Sequence, residues 1–216
     1  MKAAIIGATG LVGQQLLQLL LDSDRYSEIH AIGRRKIDVD HPKLTQHIIR
    51  LDRLAGLSIN SGVDHAFCTL GTTIKQAGSP GEFQRVDRDY VCAFGELMKR
   101  LGASALAVNS SIGADSGSGN LYLRTKGEME DCLRQCQFGT LVMVRPSLLV
   151  PTGRREFRLG EVVAFSFFRL FGWVLQGPLR RYRPVKPRAV AGALFDGVQA
   201  PNAGVVIVQS EAIARV

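Results

Sequence analysis

The chain has 216 residues, a formal net charge of +8, 46% hydrophobic residues and 21% charged residues. That length suits a single α/β domain, 1–216, with its own core, and that balance excludes wholesale disorder. A membrane-spanning helix needs about 18 or more consecutive apolar residues. The nearest approach, 162–177, is broken by Arg169, so no span is expected.

The chain starts Met1-Lys2-Ala3-Ala4-Ile5-Ile6-Gly7, too short an apolar stretch before a glycine to be a secretory signal, so a cytoplasmic location is expected. Cys68, Cys92, Cys132 and Cys136 form no CxxC pair and no histidine lies at ligand spacing, which predicts reduced structural thiols. His30, His41, His47 and His65 are scattered, so no metal is expected. Arginines gather at Arg154, Arg155 and Arg158, then at Arg180, Arg181, Arg183 and Arg188. Without an aromatic–basic pattern, a zinc finger or a basic heptad, this charge predicts a solvated face and a phosphate-bearing cofactor, and argues against nucleic acid.

In chain order, 2–6 reads as a short apolar strand, 7–13 as a glycine-rich turn and 11–21 as a leucine-rich helix. Strands follow at 28–32, 45–50 and 63–69. A helix over 83–101 carries Phe83, Val86, Tyr90, Phe94, Leu97 and Leu101 on one stripe. A strand at 104–109, a helix at 121–135, a strand at 140–144 and a last strand at 204–208 complete the series. The alternation predicts a doubly wound parallel sheet of the NAD(P)-binding Rossmann type, in the order 3-2-1-4-5-6 with the last strand beyond. The rhythm breaks after Pro146, and 147–200 is expected to form a small C-terminal cap. Phe165, Phe167, Phe168, Phe171 and Trp173 crowd that segment, as core packing or as a contact in a homodimer.

Gly7-Ala8-Thr9-Gly10-Leu11-Val12-Gly13 follows a strand and opens a helix, the setting in which a glycine-rich turn cradles a pyrophosphate. Gly7 suits the tight turn, Gly10 lets the backbone approach the phosphates, and Gly13 lets the helix pack close to the sheet. The second strand ends Gly33-Arg34-Arg35-Lys36 with no acid. A carboxylate there would repel a 2′-phosphate and a guanidinium would bind it, so NADP(H) is favoured, with either Arg34 or Arg35 on the phosphate and the other on the adenine. Asp52 is placed either at the adenine amino group or as a helix cap. Thr69, Leu70 and Gly71 end the fourth strand, where Gly71 would let the backbone approach the ribose and nicotinamide side.

Tyr122 and Lys126 are four residues apart on a helix, hence on one face. An ammonium beside a phenol favours the phenolate, and such a tyrosine can exchange a proton with a carbonyl or alcohol oxygen. Ser110 and Ser111 end the fifth strand at the sheet's carboxyl edge. Ser111 is the preferred hydroxyl for polarising a substrate carbonyl.

Together the glycine turn, Gly33-Arg34-Arg35 and Tyr122-x-x-x-Lys126 resemble the short-chain dehydrogenase/reductase superfamily. The stretches 67–73, 86–90, 122–128 and 145–149, with Arg154-Arg155-Glu156, are similar to its atypical branch containing the Tat-interacting protein oxidoreductases. The resemblance implies a Rossmann fold, NADPH, a triad of Ser111, Tyr122 and Lys126, and a segment from Pro146 passing along the nicotinamide. Two functions follow as expectations. One is an NADP(H)-dependent oxidoreductase acting on an unidentified carbonyl or alcohol. The other is a non-catalytic, NADP(H)-responsive regulatory protein.

Overall fold

A computed structural model describes residues 1–150, 183–200 and 203–213. The aromatic cluster 165–173 and the arginines of 154–158 and 180–181 lie outside these residues, as does most of the expected cap.

Seven strands form one parallel sheet: β1 (Lys2–Ile6), β2 (Glu28–Gly33), β3 (Leu44–Ile48), β4 (His65–Cys68), β5 (Ala105–Asn109), β6 (Thr140–Arg145) and β7 (Gly204–Gln209). Their spatial order is β3-β2-β1-β4-β5-β6-β7, the doubly wound arrangement expected from the sequence. The chain reverses direction across the sheet between β1 and β4, which opens a crevice at their carboxyl ends.

Alternation along each strand builds two cores. Ala3 and Ile5 face α1 (Leu11–Asp22) and α6 (Pro187–Gly197), together with Leu16, Leu20, Val190 and Leu194. Ala4 and Ile6 face the other way, toward α4 (Tyr90–Arg100) and α5 (Leu121–Gln135), with Phe94, Leu97, Met129 and Leu133. The central strands are buried on both sides, which is why they read as unbroken apolar runs. The segment 187–197, grouped by sequence with the cap, is the α6 partner of α1 in the helical layer.

The helix expected as one piece over 83–101 is built in three. Two short helices, α2 (Ile74–Ala77) and α3 (Pro80–Gln84), lead into a π turn at Arg85–Asp89, and α4 follows. The wider turn rotates the buried stripe by one residue. Asp87 and Val91 are buried where Val86 and Tyr90 were expected, and Val86 and Tyr90 are only half-buried. A final turn, α7 (Ser210–Ile213), ends the described chain.

The expectation of four reduced thiols is corrected by the fold. Cys92 of α4 and Cys132 of α5 are joined as a disulfide, with Cα atoms 6.1 Å apart, and Cys68 and Cys136 are free. The pair is made by the packing of two helices whose cysteines are 40 residues apart, so no local spacing signals it.

Three histidines stand away from the sheet's carboxyl edge. His30 Nδ1 and His47 Nε2 meet at 3.0 Å, and Tyr26 Oη lies 2.8 Å from His65 Nδ1. Burial holds all three imidazoles below their usual 6.5. The folded chain keeps them neutral while the unfolded chain takes up protons near 6.5, so their contribution to stability is complete above that pH and is lost as pH falls below it. Urea midpoints at roughly pH 7.5 and 5.5 should therefore fall with acidification, and less so in His30→Gln. Equal slopes in the two proteins would contradict this.

Candidate functional site at the carboxyl edge of the sheet

The glycine-rich turn has the backbone geometry its glycines predict. Gly7 adopts φ +86°, and a Cβ there would lie 2.6 Å from the Leu70 amide nitrogen. At Gly13 a Cβ would lie 2.1 Å from the Gly7 carbonyl oxygen and 2.8 Å from Ala8 Cα. The Gly10 amide donates to the Gly7 carbonyl at 3.0 Å and closes the turn. Gly10 caps α1 with no side-chain hydrogen bond, and no acid sits in the first turn, so the positive end of the helix is open to an anion. Of the other turn residues, Val12 is buried in the core, while Thr9 and Leu11 are exposed.

A shallow, open cleft runs from this turn to β2 and β3. Gly7, Thr9, Leu70, Arg34 and Arg35 line it, with Ile32 and Leu51 supplying apolar wall. Arg34 and Arg35 are exposed, and neither guanidinium has a partner among the described residues. Among the described residues, the predicted cations therefore reach the cleft with their charge uncompensated. Asp52 does not line it. It is gripped by the Arg50 guanidinium at 2.6 and 3.1 Å on the exposed start of a 3₁₀ turn at Leu51–Gly56, and this pairing holds its carboxyl below the usual range. Nor does it cap that turn: the flanking residue is Arg50, with no side-chain cap bond.

The cleft lining ends at Leu70, and beside the next residue, Gly71, lies a buried dyad. Lys126 Nζ sits 2.7 Å from Asp87 Oδ1, and both side chains are almost wholly buried, at 5% and 1% exposure. Asp87 Oδ2 accepts the Thr72 amide at 2.8 Å, which ties the dyad to the loop after β4. Burial works against the Lys126 ammonium, but Asp87 and then Tyr122 more than offset it, so its proton is held above the usual lysine value. Gly71 abuts the pair: a Cβ there would lie 3.3 Å from Asp87 Oδ1 and 3.7 Å from Lys126 Nζ. Thr69 donates its hydroxyl to the Ile6 carbonyl at 3.0 Å, joining the ends of β1 and β4. The Cys68 thiol beside them is pushed up to about 12 by burial and stays neutral.

Tyr122 lies one turn before Lys126, its ring stacked on fully buried Phe83 with centroids 5.6 Å apart. Asn120 caps α5, its side chain accepting the Tyr122 and Leu123 amides at 2.9 and 3.2 Å. Tyr122 thus projects from the fixed first turn of a capped helix.

The two candidate serines separate cleanly. Ser110 donates at 2.6 Å to Glu130, which is itself gripped by Arg145 through Nε at 2.9 Å and Nη2 at 2.5 Å. Ser110 is engaged in holding β5, α5 and β6 together. Ser111 makes only a 3.3 Å bond to the neighbouring Ile112 carbonyl, so its hydroxyl is the one left for a ligand. Pro146 is buried, and its carbonyl accepts the Ile112 amide at 2.9 Å, which sets the chain after β6 against the chain after β5.

Comparison with known proteins agrees with this geometry. Residues 2–80 match the family model described as semialdehyde dehydrogenase, NAD binding domain. Protein HTATIP2 of Rattus norvegicus is 39% identical over 168 residues, covering 76% of this chain and 69% of that protein. The chain belongs to the HTATIP2/FMP52 family. Its member in Debaryomyces hansenii, named protein FMP52, mitochondrial, is 31% identical and covers 82% of this chain and 77% of its own length. A solved oxidoreductase of the short-chain dehydrogenase/reductase family from Burkholderia thailandensis superposes with a TM-score of 0.68 at 19% identity, over 99% of this chain and 92% of that one. At that identity the likeness establishes the fold alone, a Rossmann-like doubly wound α/β domain.

Two residues of this HTATIP2/FMP52 member's site escaped sequence reading, Asp87 and Glu130. Asp87 stands in 86–90, a stretch that carries the family resemblance, but the resemblance assigns it no role of its own. The π turn buries it, and that turn has no glycine or proline to announce it. Glu130 left a weak trace as an acid on the apolar stripe between Met129 and Leu133. Among the described residues, no cluster of histidine, cysteine, aspartate and glutamate could hold a metal, and no helix is long and apolar enough to cross a membrane.

Proposed function

We propose that the chain is an NADP(H)-dependent oxidoreductase that interconverts a carbonyl compound and its alcohol, with Tyr122 as proton donor and acceptor. The observation that carries this reading is one continuous edge of the sheet. It joins an anion-ready helix start, two uncompensated arginines, and a buried lysine one helical turn from a positioned tyrosine.

The residues fit the cofactor. Gly7 and Gly13 let the turn pack directly on Thr69, Leu70 and its own backbone, which sets the start of α1 close against the sheet edge where a pyrophosphate would sit. Arg34 and Arg35 supply charge to a 2′-phosphate and leave no acid to bind an unmodified ribose. Lys126 and the Gly71 backbone would hold the nicotinamide ribose, and Pro146 would bound the ring's far side. When bound, the cofactor supplies the hydride. This chain's part is the proton and the alignment. Ser111 orients the carbonyl oxygen, Tyr122 donates to it, and Phe83 keeps the phenol ring in place.

Tyr122→Phe should lower carbonyl turnover about 10²–10⁴-fold while leaving NADPH affinity within about twofold. A panel of aldehydes and ketones followed by NADPH absorbance checks this. Unchanged turnover would remove Tyr122 from the chemistry. A cytoplasmic location belongs to the same proposal, and cell fractionation that finds the chain in mitochondria would reject it.

A further inference from the structure

We propose that Asp87 sets the charge that Tyr122 feels: by pairing with Lys126 it keeps the dyad neutral, so the phenol serves as a proton donor and the site is poised for carbonyl reduction. The direction of the reaction rests on the oxidoreductase reading above. The charge relation does not.

A lone ammonium one helical turn from a phenol pulls it toward phenolate, the form that accepts a proton from an alcohol. Here the ammonium is 2.7 Å from a carboxylate, and both are buried where water and salt screen little. The pair then acts on its surroundings as a dipole, whose field falls faster with distance than that of a charge. Asp87 cannot swing away. The Thr72 amide holds its second oxygen at 2.8 Å, and the π turn fixes its backbone.

Among the described residues no other charge takes over this task. The ionisable groups acting on Lys126 there are Asp87 from the π turn, Tyr122 from its own helix and Cys68 from β4, whose thiol is neutral. Ser110, just after β5, is turned to Glu130. Arg88, next to Asp87, is engaged by Asp89 at 2.7 Å and Glu128 at 2.6 Å, and Arg124 leans on Glu128 at 3.9 Å.

In the favoured direction the carbonyl carbon takes a hydride from reduced nicotinamide, and its oxygen takes the phenol proton as the phenolic O–H bond breaks. The phenolate then regains a proton from water. A neutral dyad keeps the phenol loaded for that step. Asp87 is a positioning residue, since it acts through Lys126 and touches no reacting atom.

The test needs no substrate. Tyrosinate absorbance is titrated in the full chain and in a Tyr122→Phe twin, so that the difference isolates Tyr122 from the other three of the four tyrosines. Asp87→Asn keeps the side-chain shape and the Thr72 contact but leaves the ammonium uncompensated. It should move the Tyr122 midpoint to lower pH by about one unit or more. The double variant Asp87→Asn with Lys126→Met replaces the pair by neutral groups and should return the midpoint to that of the unaltered chain. The double variant carries the comparison even if Asp87→Asn alone does not fold, because it buries no unpaired charge. An unmoved midpoint in Asp87→Asn, or a raised one in the double variant, would overturn the proposal. Either result is separate from the oxidoreductase reading, which is judged by turnover in Tyr122→Phe.

Discussion

Gly13→Ala should abolish useful cofactor binding while the chain still folds. The new methyl would meet the Gly7 carbonyl oxygen at 2.1 Å, Thr69 Oγ1 at 2.7 Å and Ala8 Cα at 2.8 Å, and two of those three neighbours are backbone. Backbone cannot rotate aside, so α1 must move away from the sheet or the turn must open. Either movement displaces the amides that would face the pyrophosphate. Overpacking of this kind costs roughly 1–3 kcal/mol of stability. The loss of NADPH affinity should be about 100-fold or more, about 2.8 kcal/mol at 1.4 kcal/mol per tenfold. Gly56→Ala is the matched control, because a Cβ there meets nothing within 4 Å. Calorimetric titration of the two variants checks the contrast. Equal affinities would mean that the turn does not carry the phosphates.

Glu130→Ala should be the most destabilising single truncation around the site. Glu130 is fully buried and receives Ser110, both arms of Arg145 and, more weakly, Arg134 at 3.5 Å. Removing it leaves the mostly buried Arg145 guanidinium with no carboxylate among these partners, at a cost of about 3–5 kcal/mol. For a chain of this size that is a fall in Tm of roughly 10 °C. The effect should reach the site, because Ser110 and Arg145 hold the ends of β5 and β6 on either side of it. Glu130→Leu combined with Arg145→Met removes both charges and should recover much of the loss. Urea unfolding of the three proteins decides this. A loss under about 1 kcal/mol in Glu130→Ala would place the pair with ordinary surface ion pairs.

The parts of this molecule legible in its sequence are those whose physics is local. The central strands and the order of the sheet could be read because burial on both faces leaves a continuous apolar run and because crossovers are right-handed. The glycine turn could be read because its steric demand is written at fixed positions, and Arg34 and Arg35 because they follow directly on a strand end. Residues whose role depends on tertiary packing were not legible. The π turn moved the buried stripe from Val86 and Tyr90 to Asp87 and Val91, which turned an acid off the expected stripe into the partner of Lys126. The disulfide between Cys92 and Cys132 depends on two helices meeting. What distinguishes Ser111 from Ser110 in the fold was not in the sequence either: Glu130, 20 residues on, occupies the Ser110 hydroxyl. Asp52 was drawn to Arg50, two residues away, and a strand-end rule had no means of foreseeing that pair.

The Thr72 amide, Asp87 and Lys126 form one chain of contacts from the loop after β4 to the helix bearing Tyr122. A ribose hydroxyl binding at Lys126 would share the ammonium with Asp87 and so would alter both ends of that chain.

The central claim, that this edge is an NADP(H) site, is tested most directly by calorimetric titration of NADPH and NADH into the unaltered chain and into Arg34→Ala and Arg35→Ala. The account predicts preference for NADPH by about tenfold or more, reduced in at least one arginine variant with NADH affinity little changed. Equal affinity for both nucleotides, or a preference for NADPH that survives both substitutions, would contradict it.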